Sequence, residues 1–375
     1  MTSIDILLPH KEMMTDSNRG AIATVVSELV LNSASPEMFS VFGVPLSNPI
    51  KGIDYRPISF YRKWLYGGNL GMAHAYLRSL KSENRNPDLI EVHGRAQVAA
   101  LIARRRPDLK VVLYLHNDPR HMKGSKTPAE RSALLASLAG IFCISEFIKT
   151  CFCEALNQDA VATDKIFIIP NGVARRLTTQ PCKQKQVLIA GRMVPEKGIL
   201  EACRAAASVL PDAPDWTLHV IGGRRFLSEP PSAYEKQVCD AIASLGSQAV
   251  HHGFIPYDEV RAHQEQAAIC IVPSLWEEPA GLTVIEALSA GAALITTNRG
   301  GIPETATGRA IIVDITAHLT DSTKLSEIFA TQLRSLIIDE AKRTALQQKA
   351  WKDYPFCSEI MSTKADKVRI SVLED

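Results

Sequence analysis

The feature that most constrains this chain is an alternation run through twice: short apolar stretches separated by amphipathic ones. That rhythm writes parallel sheets with helices packed on their faces. Ile4–Leu8 reads as a first strand, followed by a loop with Asn18, Arg19 and Gly20 and a helix over about Ala21–Leu31. Leu89–Val92, Val111–Leu115, Ile141–Ile144 and Ile166–Ile169 read as buried strands, and Ser145 with Glu146 supplies a helix start. Pro170-Asn171-Gly172 closes this series with a turn signal. A polar stretch, about Arg175 to Gln186, reads as a linker. The alternation then restarts. Strands fall at Val187–Ala190, Leu218–Ile221, Val250–His252, Ile269–Val272 and Ala293–Thr296, with helices at about Gly198–Val209, Tyr234–Ser244 and Thr283–Ser289. Residues 322–352 read as charged helix, and 353–375 as an amphipathic tail. The expectation is an α/β chain of two Rossmann-like domains facing across a cleft, residues 1–175 and 176–352.

Composition closes off other classes. The chain has 375 residues, enough for about two domains of ~100–200 residues each. A formal charge of +2 is not that of a polycation, so no nucleic-acid partner is expected. No stretch approaches the ~18 apolar residues of a membrane span, and Met1 to Pro9 lacks the basic start of a signal peptide. The 8 cysteines are scattered, which points to buried thiols in a reducing cytoplasm rather than to a disulfide framework. Residues 1–170 hold 20 Lys/Arg and 16 Asp/Glu, while 171–375 hold 22 and 24. The basic excess includes Arg104, Arg105, Arg106, Lys110, Arg120, Lys123 and Lys126. Two readings stand: a solvated helix end, or a surface for an anionic acceptor or the inner face of the cytoplasmic membrane.

Two segments carry the chemistry. In Pro273-Ser274-Leu275-Trp276-Glu277-Glu278-Pro279-Ala280-Gly281-Leu282-Thr283-Val284-Ile285-Glu286-Ala287 a strand runs into a loop that opens a helix. The unpaired N–H groups of such a helix start suit a phosphate or a sugar hydroxyl. Glu278 sits before the helix and Glu286 about two turns on, so both can face one ligand; an ordinary surface capping loop is the competing reading. Gly191-Arg192-Met193-Val194-Pro195-Glu196-Lys197-Gly198 puts two cations at a strand's carboxyl end, where open α/β sheets bind ligands. Arg clasps phosphate bidentately and Lys adds a point charge; alone, this is equally a solvated loop.

Together the segments resemble the retaining glycosyltransferases of GT-B fold, family four. That family shows G-R-x-x-x-x-K-G after a strand, then P-S-x-x-E-x-x-G-L-x-x-x-E-A, and Glu278 and Glu286 keep the spacing of its two glutamates. Ile168-Ile169-Pro170-Asn171-Gly172-Val173, Val220-Ile221-Gly222-Gly223 and Gly300-Gly301-Ile302-Pro303-Glu304 match further motifs in order. The resemblance is dense over residues 166–305 and looser before.

The resemblance implies roles. Arg192 and Lys197 neutralise the donor diphosphate, Glu278 contacts the donor sugar, and Glu286 binds the ribose hydroxyls. Backbone amides of Ala280, Gly281 and Leu282 contact sugar or phosphate; Gly222 lies in a matched donor-side motif, and Phe254 and Ile255 match the region lining the base. Where the family usually has Phe after Glu-Pro, this chain has Ala280. His116, at the end of Val111–Leu115, matches the histidine beside the reaction centre. The catalytic set implied is thus His116, Glu278, Arg192 and Lys197. Asp16-Ser17-Asn18-Arg19-Gly20 stands in place of the glycine loop that approaches the donor phosphate; Gly20 keeps the permissive backbone, and Arg19 contacts phosphate or acceptor or points to solvent. His93 and Arg120, with Arg19, are the acceptor-side candidates. The tail, 353–375, crosses back to the first domain. The partners implied are a nucleotide-sugar donor and a glycan or lipid-linked glycan acceptor of the bacterial surface, such as lipopolysaccharide, with peripheral membrane contact.

Absences set the alternatives. The chain has no Asp-x-Asp for a metal-bound diphosphate, no G-x-G-x-x-G after the first strand, and no G-x-x-x-x-G-K-[ST]. Cys151-Phe152-Cys153 lacks a second pair for zinc. No metal and no cofactor are expected. The readings kept beside the transferase are a nucleotide-sugar-binding protein without activity and a GT-B epimerase or phosphorylase.

Overall fold

The computed structural model describes residues 2–16, 18–60, 63–157, 163–223 and 231–374; Met1, Asp375 and Ser17 of the glycine-loop counterpart lie outside them. The chain divides into two compact units, Met1–Gly172 with Ser358–Asp375, and Val173–Cys357.

In the first unit the elements run β1 (Ile4–Leu7), α1 (Ala21–Leu31), β2 (Phe39–Gly43), β3 (Tyr55–Pro57), α2 (Lys63–Ser82), β4 (Leu89–His93), α3 (Ala96–Arg105), β5 (Lys110–Leu115), α4 (Pro128–Ser137), β6 (Gly140–Cys143), α5 (Glu146–Cys153) and β7 (Ile166–Ile168). The seven strands form one sheet in the order β3-β2-β1-β4-β5-β6-β7, each pair parallel. Strands covered on both faces are apolar along their length rather than alternating, and β1, β2, β4 and β6 are buried at every position. Ser145 caps α5 by accepting from the Ile148 N–H at 3.1 Å. Thr127 and Glu130 close a capping box on α4.

The second unit runs β8 (Gln184–Ala190), α6 (Ile199–Val209), β9 (Thr217–Ile221), α7 (Ala233–Ala243), β10 (Ala249–Gly253), α8 (Tyr257–Gln266), β11 (Ala267–Val272), α9 (Leu282–Ser289), β12 (Ala293–Thr297), α10 (Ile302–Ala306), β13 (Ile311–Val313), α11 (Ser322–Ile338) and α12 (Glu340–Lys352). Its parallel sheet has the order β10-β9-β8-β11-β12-β13. Core residues lie on both faces: Ile189, Ile269 and Ile295 among those packed with α6 and α11, and Leu188, Cys270 and Leu294 among those packed with α9. The last helix, α13 (Ser358–Glu374), belongs to the first unit and packs on α1.

The polar stretch from Arg175 to Gln186 is not a free linker. Its last three residues begin β8, with Gln184 in register with Ala267 and Gln186 with Thr217. The Lys183 ammonium donates to the carbonyls of Gln264, Glu265 and Ala290, and burial pushes its pKa down to about 8. Arg175 lies over the rings of Trp351 and Tyr354, at 4.1 and 4.7 Å, and donates to the Trp351 carbonyl. These polar residues are held by tertiary carbonyls and rings, which a hydropathy pattern does not display. Strands β2, β3 and β13 also escape the pattern, because β3 and β13 are three residues long and β2 is interrupted by Ser40.

Candidate active site

In both sheets the strand order reverses direction once, between β1 and β4 and between β8 and β11. Such a switch point leaves a crevice outside the carboxyl ends of the strands. In the second unit the two loops that leave β8 and β11 are the two segments singled out in the sequence.

These loops are stitched together by backbone. The N–H groups of Leu275 and Trp276 both donate to the Glu196 carbonyl, at 3.0 and 3.2 Å. Gly198, with φ 65°, makes this approach feasible: a Cβ there would lie 2.1 Å from the Pro273 carbonyl oxygen. The Lys197 ammonium then meets the Glu278 carboxylate in a direct ion pair. Ser274 donates to the same Glu278 oxygen at 2.7 Å. The loop is fixed from its other side by Gly300 N–H to Glu277 Oε2 at 2.6 Å, Gly301 N–H to the Glu278 carbonyl at 2.7 Å, and the Arg299–Glu277 pair at 2.5 Å. Ser274 and Arg299 are positioning groups that the sequence reading passed over; Ser274 stands inside the matched P-S motif, so its signal was present.

Arg192 is exposed just beyond β8. Gly222 follows β9 with φ 126°, and a Cβ there would lie 2.0 Å from the Gly191 carbonyl oxygen, so only glycine lets these two strand ends close. Gly281 N-caps α9 in a left-handed conformation, φ 68°; Leu282 opens the helix and Ala280 before it is buried. Glu286 is buried in α9, where Gln264 of α8 donates to its Oε2 at 3.2 Å. Arg261 of α8 donates to the Glu286 carbonyl at 2.9 Å and to the Ser289 hydroxyl at 2.6 Å, fixing α9 against α8. Phe254 is exposed and Ile255 half-buried in the bend between β10 and α8.

The first unit holds His116, His93, Gly20, Arg19 and Arg120. His116 follows β5, and its ring stacks on Tyr114 and on His93, with centroids 4.8 and 5.0 Å apart. His93 Nδ1 and His116 Nε2 are 2.8 Å apart, one donating to the other. That engages His116 Nε2 and leaves Nδ1 as its outward nitrogen. Burial pushes the His116 pKa well down, aided by His93 and Arg95, so the ring is neutral. His93 has no exposed surface, so it stands behind His116 rather than at the surface itself. Its Nε2 lies 3.5 Å from Glu91 Oε2, too long for a good hydrogen bond. Glu91 in turn receives a two-pronged grip from Arg369 of α13, at 2.7 and 3.0 Å. Burial raises the Glu91 pKa, but the Arg369 charge and hydrogen bonds, with His93 nearby, outweigh this and bring it to about 2. The chain Arg369–Glu91–His93–His116 was invisible in sequence, since its outer members, His116 and Arg369, stand 253 positions apart.

Two candidates are committed elsewhere. Asp118 takes three hydrogen bonds from the Arg120 guanidinium, the shortest 2.6 Å, and Glu154 takes another at 3.1 Å. Arg120 is therefore neutralised within the first unit rather than held out for an acceptor. Gly20 does N-cap α1, but Glu12 already occupies that helix start: its Oε1 accepts from the Ala23 N–H at 2.9 Å and lies 2.4 Å from where a Gly20 Cβ would be. A phosphate would have to displace a carboxylate there. Arg19 is half-buried and pairs by backbone with Met14 in a small bridge.

Two parallel Rossmann-type sheets with such loops define the GT-B class, and family comparison agrees. Residues 174–353 match the family described as Glycosyl transferases group 1, and residues 34–176 match Glycosyltransferase Family 4. The chain carries the two domains of a glycosyltransferase of this group. Among relatives, YtcC of Bacillus subtilis, named as a glycosyltransferase, is 27% identical over 280 residues, covering 71% of this chain and 67% of that one. The lipopolysaccharide 1,2-N-acetylglucosaminetransferase of Salmonella typhimurium is 25% identical over 289 residues, covering 73% and 72%. Among solved structures, HepE of Anabaena in complex with UDP-glucose superposes with a TM-score of 0.72 at 17% identity, over 99% of this chain and 100% of that one.

Proposed function

We propose that the protein is a retaining, metal-independent hexosyltransferase that moves a sugar from a nucleotide-sugar to an acceptor hydroxyl on a surface glycan or its lipid-linked precursor. The observation that carries this reading is the Lys197–Glu278–Ser274 cluster at the β8/β11 switch point, with exposed Arg192 on the same loop as Lys197. Cation and carboxylate are adjacent, as needed where a diphosphate meets a sugar. Lys197 exchanges part of its Glu278 contact for the diphosphate, and Glu278 turns to the sugar hydroxyls. Glu286, buried beside α8, takes the ribose, and the amides from Ala280 to Leu282 contact sugar or phosphate.

The bond broken is the one between the anomeric carbon and the diphosphate oxygen. The acceptor oxygen bonds to that carbon on the same face, and its proton passes to the leaving phosphate. Arg192 and Lys197 stabilise the charge that grows on the diphosphate, in place of a metal ion and without a cofactor. The names of the UDP-glucose complex and the N-acetylglucosaminetransferase support a nucleotide-sugar donor and a surface-glycan acceptor. The intact cluster favours transfer over a binding protein without activity.

The test is a donor screen followed by product analysis. Thermal shift with UDP, GDP and ADP identifies the base, since a ligand that binds only the native state raises its apparent stability. Transfer from the matching nucleotide-sugar is then read by NMR of the new linkage. Inversion of the anomeric centre, or donor consumption without any acceptor product, would overturn the proposal.

A further inference from the structure

Among the described residues, His219, His252 and His263 of the second unit converge, with one ring nitrogen of each within 4.8 Å of those of the other two. The fold brings them together. His219 on β9 is in register with Val250 on β10, and His252 is the extra residue where the register shifts between His251 and Gly253. The rings of His219 and His252 stack at 5.2 Å and 17°. After the bend at Phe254–Pro256 the chain returns as α8, and the His263 ring comes within 4.5 Å of His252 and 5.4 Å of His219, centroid to centroid. No motif announced this: the spacings from 219 to 252 to 263 match no metal signature, and two strands and a helix contribute.

We infer that these three histidines form a binding site for a divalent transition metal of the zinc class, a clamp joining β9, β10 and α8. Three features support it beyond proximity. His263 Nδ1 is buried and has no hydrogen-bond partner, a cost that a coordinate bond removes. His219 Nε2 lies 3.3 Å from the Thr217 hydroxyl, which is able to accept from Nε2–H and so leave Nδ1 for a metal. That leaves His219 Nδ1 facing His252 Nε2 at 2.9 Å. Two imidazole ligands about 2.0–2.1 Å from a tetrahedral zinc stand roughly 3.4 Å apart, so the pair need open only slightly.

Imidazole suits Zn²⁺, Co²⁺ and Ni²⁺ rather than Mg²⁺ or Ca²⁺. Three protein ligands leave a fourth position for water. The clamp brackets the Phe254–Ile255 bend between two ligands, so its effect is on the order of that bend and on stability. It supplies no charge to the transfer reaction, and it stands whether or not the proposed reaction does.

The test uses the full chain without a histidine tag, stripped with chelator and dialysed. Titration with Co²⁺ should give the intense visible bands of tetrahedral cobalt, saturating at one equivalent and erased by Zn²⁺, and Zn²⁺ should raise the melting temperature. His263→Gln and His252→Gln should each weaken Zn²⁺ binding by at least about 100-fold, since even outer-shell changes cost 10–100-fold. His121→Gln, at an exposed position of the first unit, should change nothing. Absence of tetrahedral cobalt bands in the parent chain would overturn the site without recourse to any variant. So would zinc affinity that survives both substitutions.

Discussion

At the scale of single residues, Lys197 and Glu278 share one ion pair, so neither is a passive surface charge. Arg192 is the simpler probe because it is exposed. Arg192→Ala should lower turnover at saturating donor by about 10²-fold or more, the usual loss when a group that meets developing charge is removed. Near-native turnover would take Arg192 out of the site. The two glutamates should separate by calorimetry. Glu286→Ala should weaken binding of the free nucleoside diphosphate, because the ribose contact goes. Glu278→Ala should spare the nucleotide and impair sugar transfer. Equal loss of affinity in both variants would contradict the roles given to them. Both glutamates were legible in sequence from their spacing; their partners Ser274, Lys197 and Gln264 were legible only in part, since a hydrogen bond across loops leaves no local pattern.

At the scale of elements, α13 is tied to the sheet of the first unit through Arg369, to α1 through Ser358 and Ser362, and to Ser33 just after α1 through Asp366. The Ser358 hydroxyl donates to Glu28 at 2.5 Å, and that of Ser33 donates to Asp366 at 2.9 Å. Arg369→Met should cost about 3–5 kcal/mol, because it leaves Glu91 charged and buried without its partner. Adding Glu91→Leu should restore part of that loss, as a buried pair replaced whole costs less than one broken. Urea unfolding of the single and double variants measures both. The pair also gives a pH dependence. Glu91 sits at about 2 in the folded chain against an ordinary 4.5, so its contribution is complete above about 4.5 and disappears as the pH falls from there toward 2. The parent's urea midpoint should drop between pH 6 and pH 3 by more than that of the double variant. An equal drop in both would remove Glu91 as the acid-sensitive group. From its own residues the tail read only as amphipathic; its return to the first domain was an expectation from the resemblance. Its apolar face could be seen, but the buried arginine could not be told from a surface one.

At the scale of the whole molecule, the predictions concern metal and membrane. Transfer should survive excess EDTA at moderate temperature, with Arg192 and Lys197 supplying the cationic charge. Complete loss restored by Mg²⁺ or Mn²⁺ would refute this. Loss of melting temperature alone, restored by Zn²⁺, is the separate signature of the histidine clamp. No helix among the described residues is long and apolar enough to cross a membrane. Several of the basic residues at 104–126 are also spoken for. Arg106 pairs with Asp108 and reaches Asn86, Arg120 pairs with Asp118 and Glu154, and the Lys110 ammonium donates to the carbonyls of Val372 and Leu373. Arg104, Arg105, Lys123 and Lys126 remain exposed. If these dock an anionic surface, co-sedimentation with anionic vesicles should weaken with salt, because exposed charges are screened over about 8 Å at physiological ionic strength. Arg104→Glu with Arg105→Glu should reduce it while leaving nucleotide affinity intact. A chain that ignores such vesicles even at low salt has no membrane-docking face there.

The amino-acid sequence by itself determined the two α/β series and the chemistry of the strand-end loops. A parallel strand buried on both faces must be apolar throughout, and loops that close on one another need glycine where backbones meet, so both facts are local and visible. What only the tertiary structure decided is which polar groups neutralise each other. Arg120 turned inward to Asp118, Glu12 capped the helix start held by Gly20, Arg369 reached Glu91, and three histidines met from β9, β10 and α8. Pairing energy depends on distance and burial, and neither is written in the order of residues along a chain.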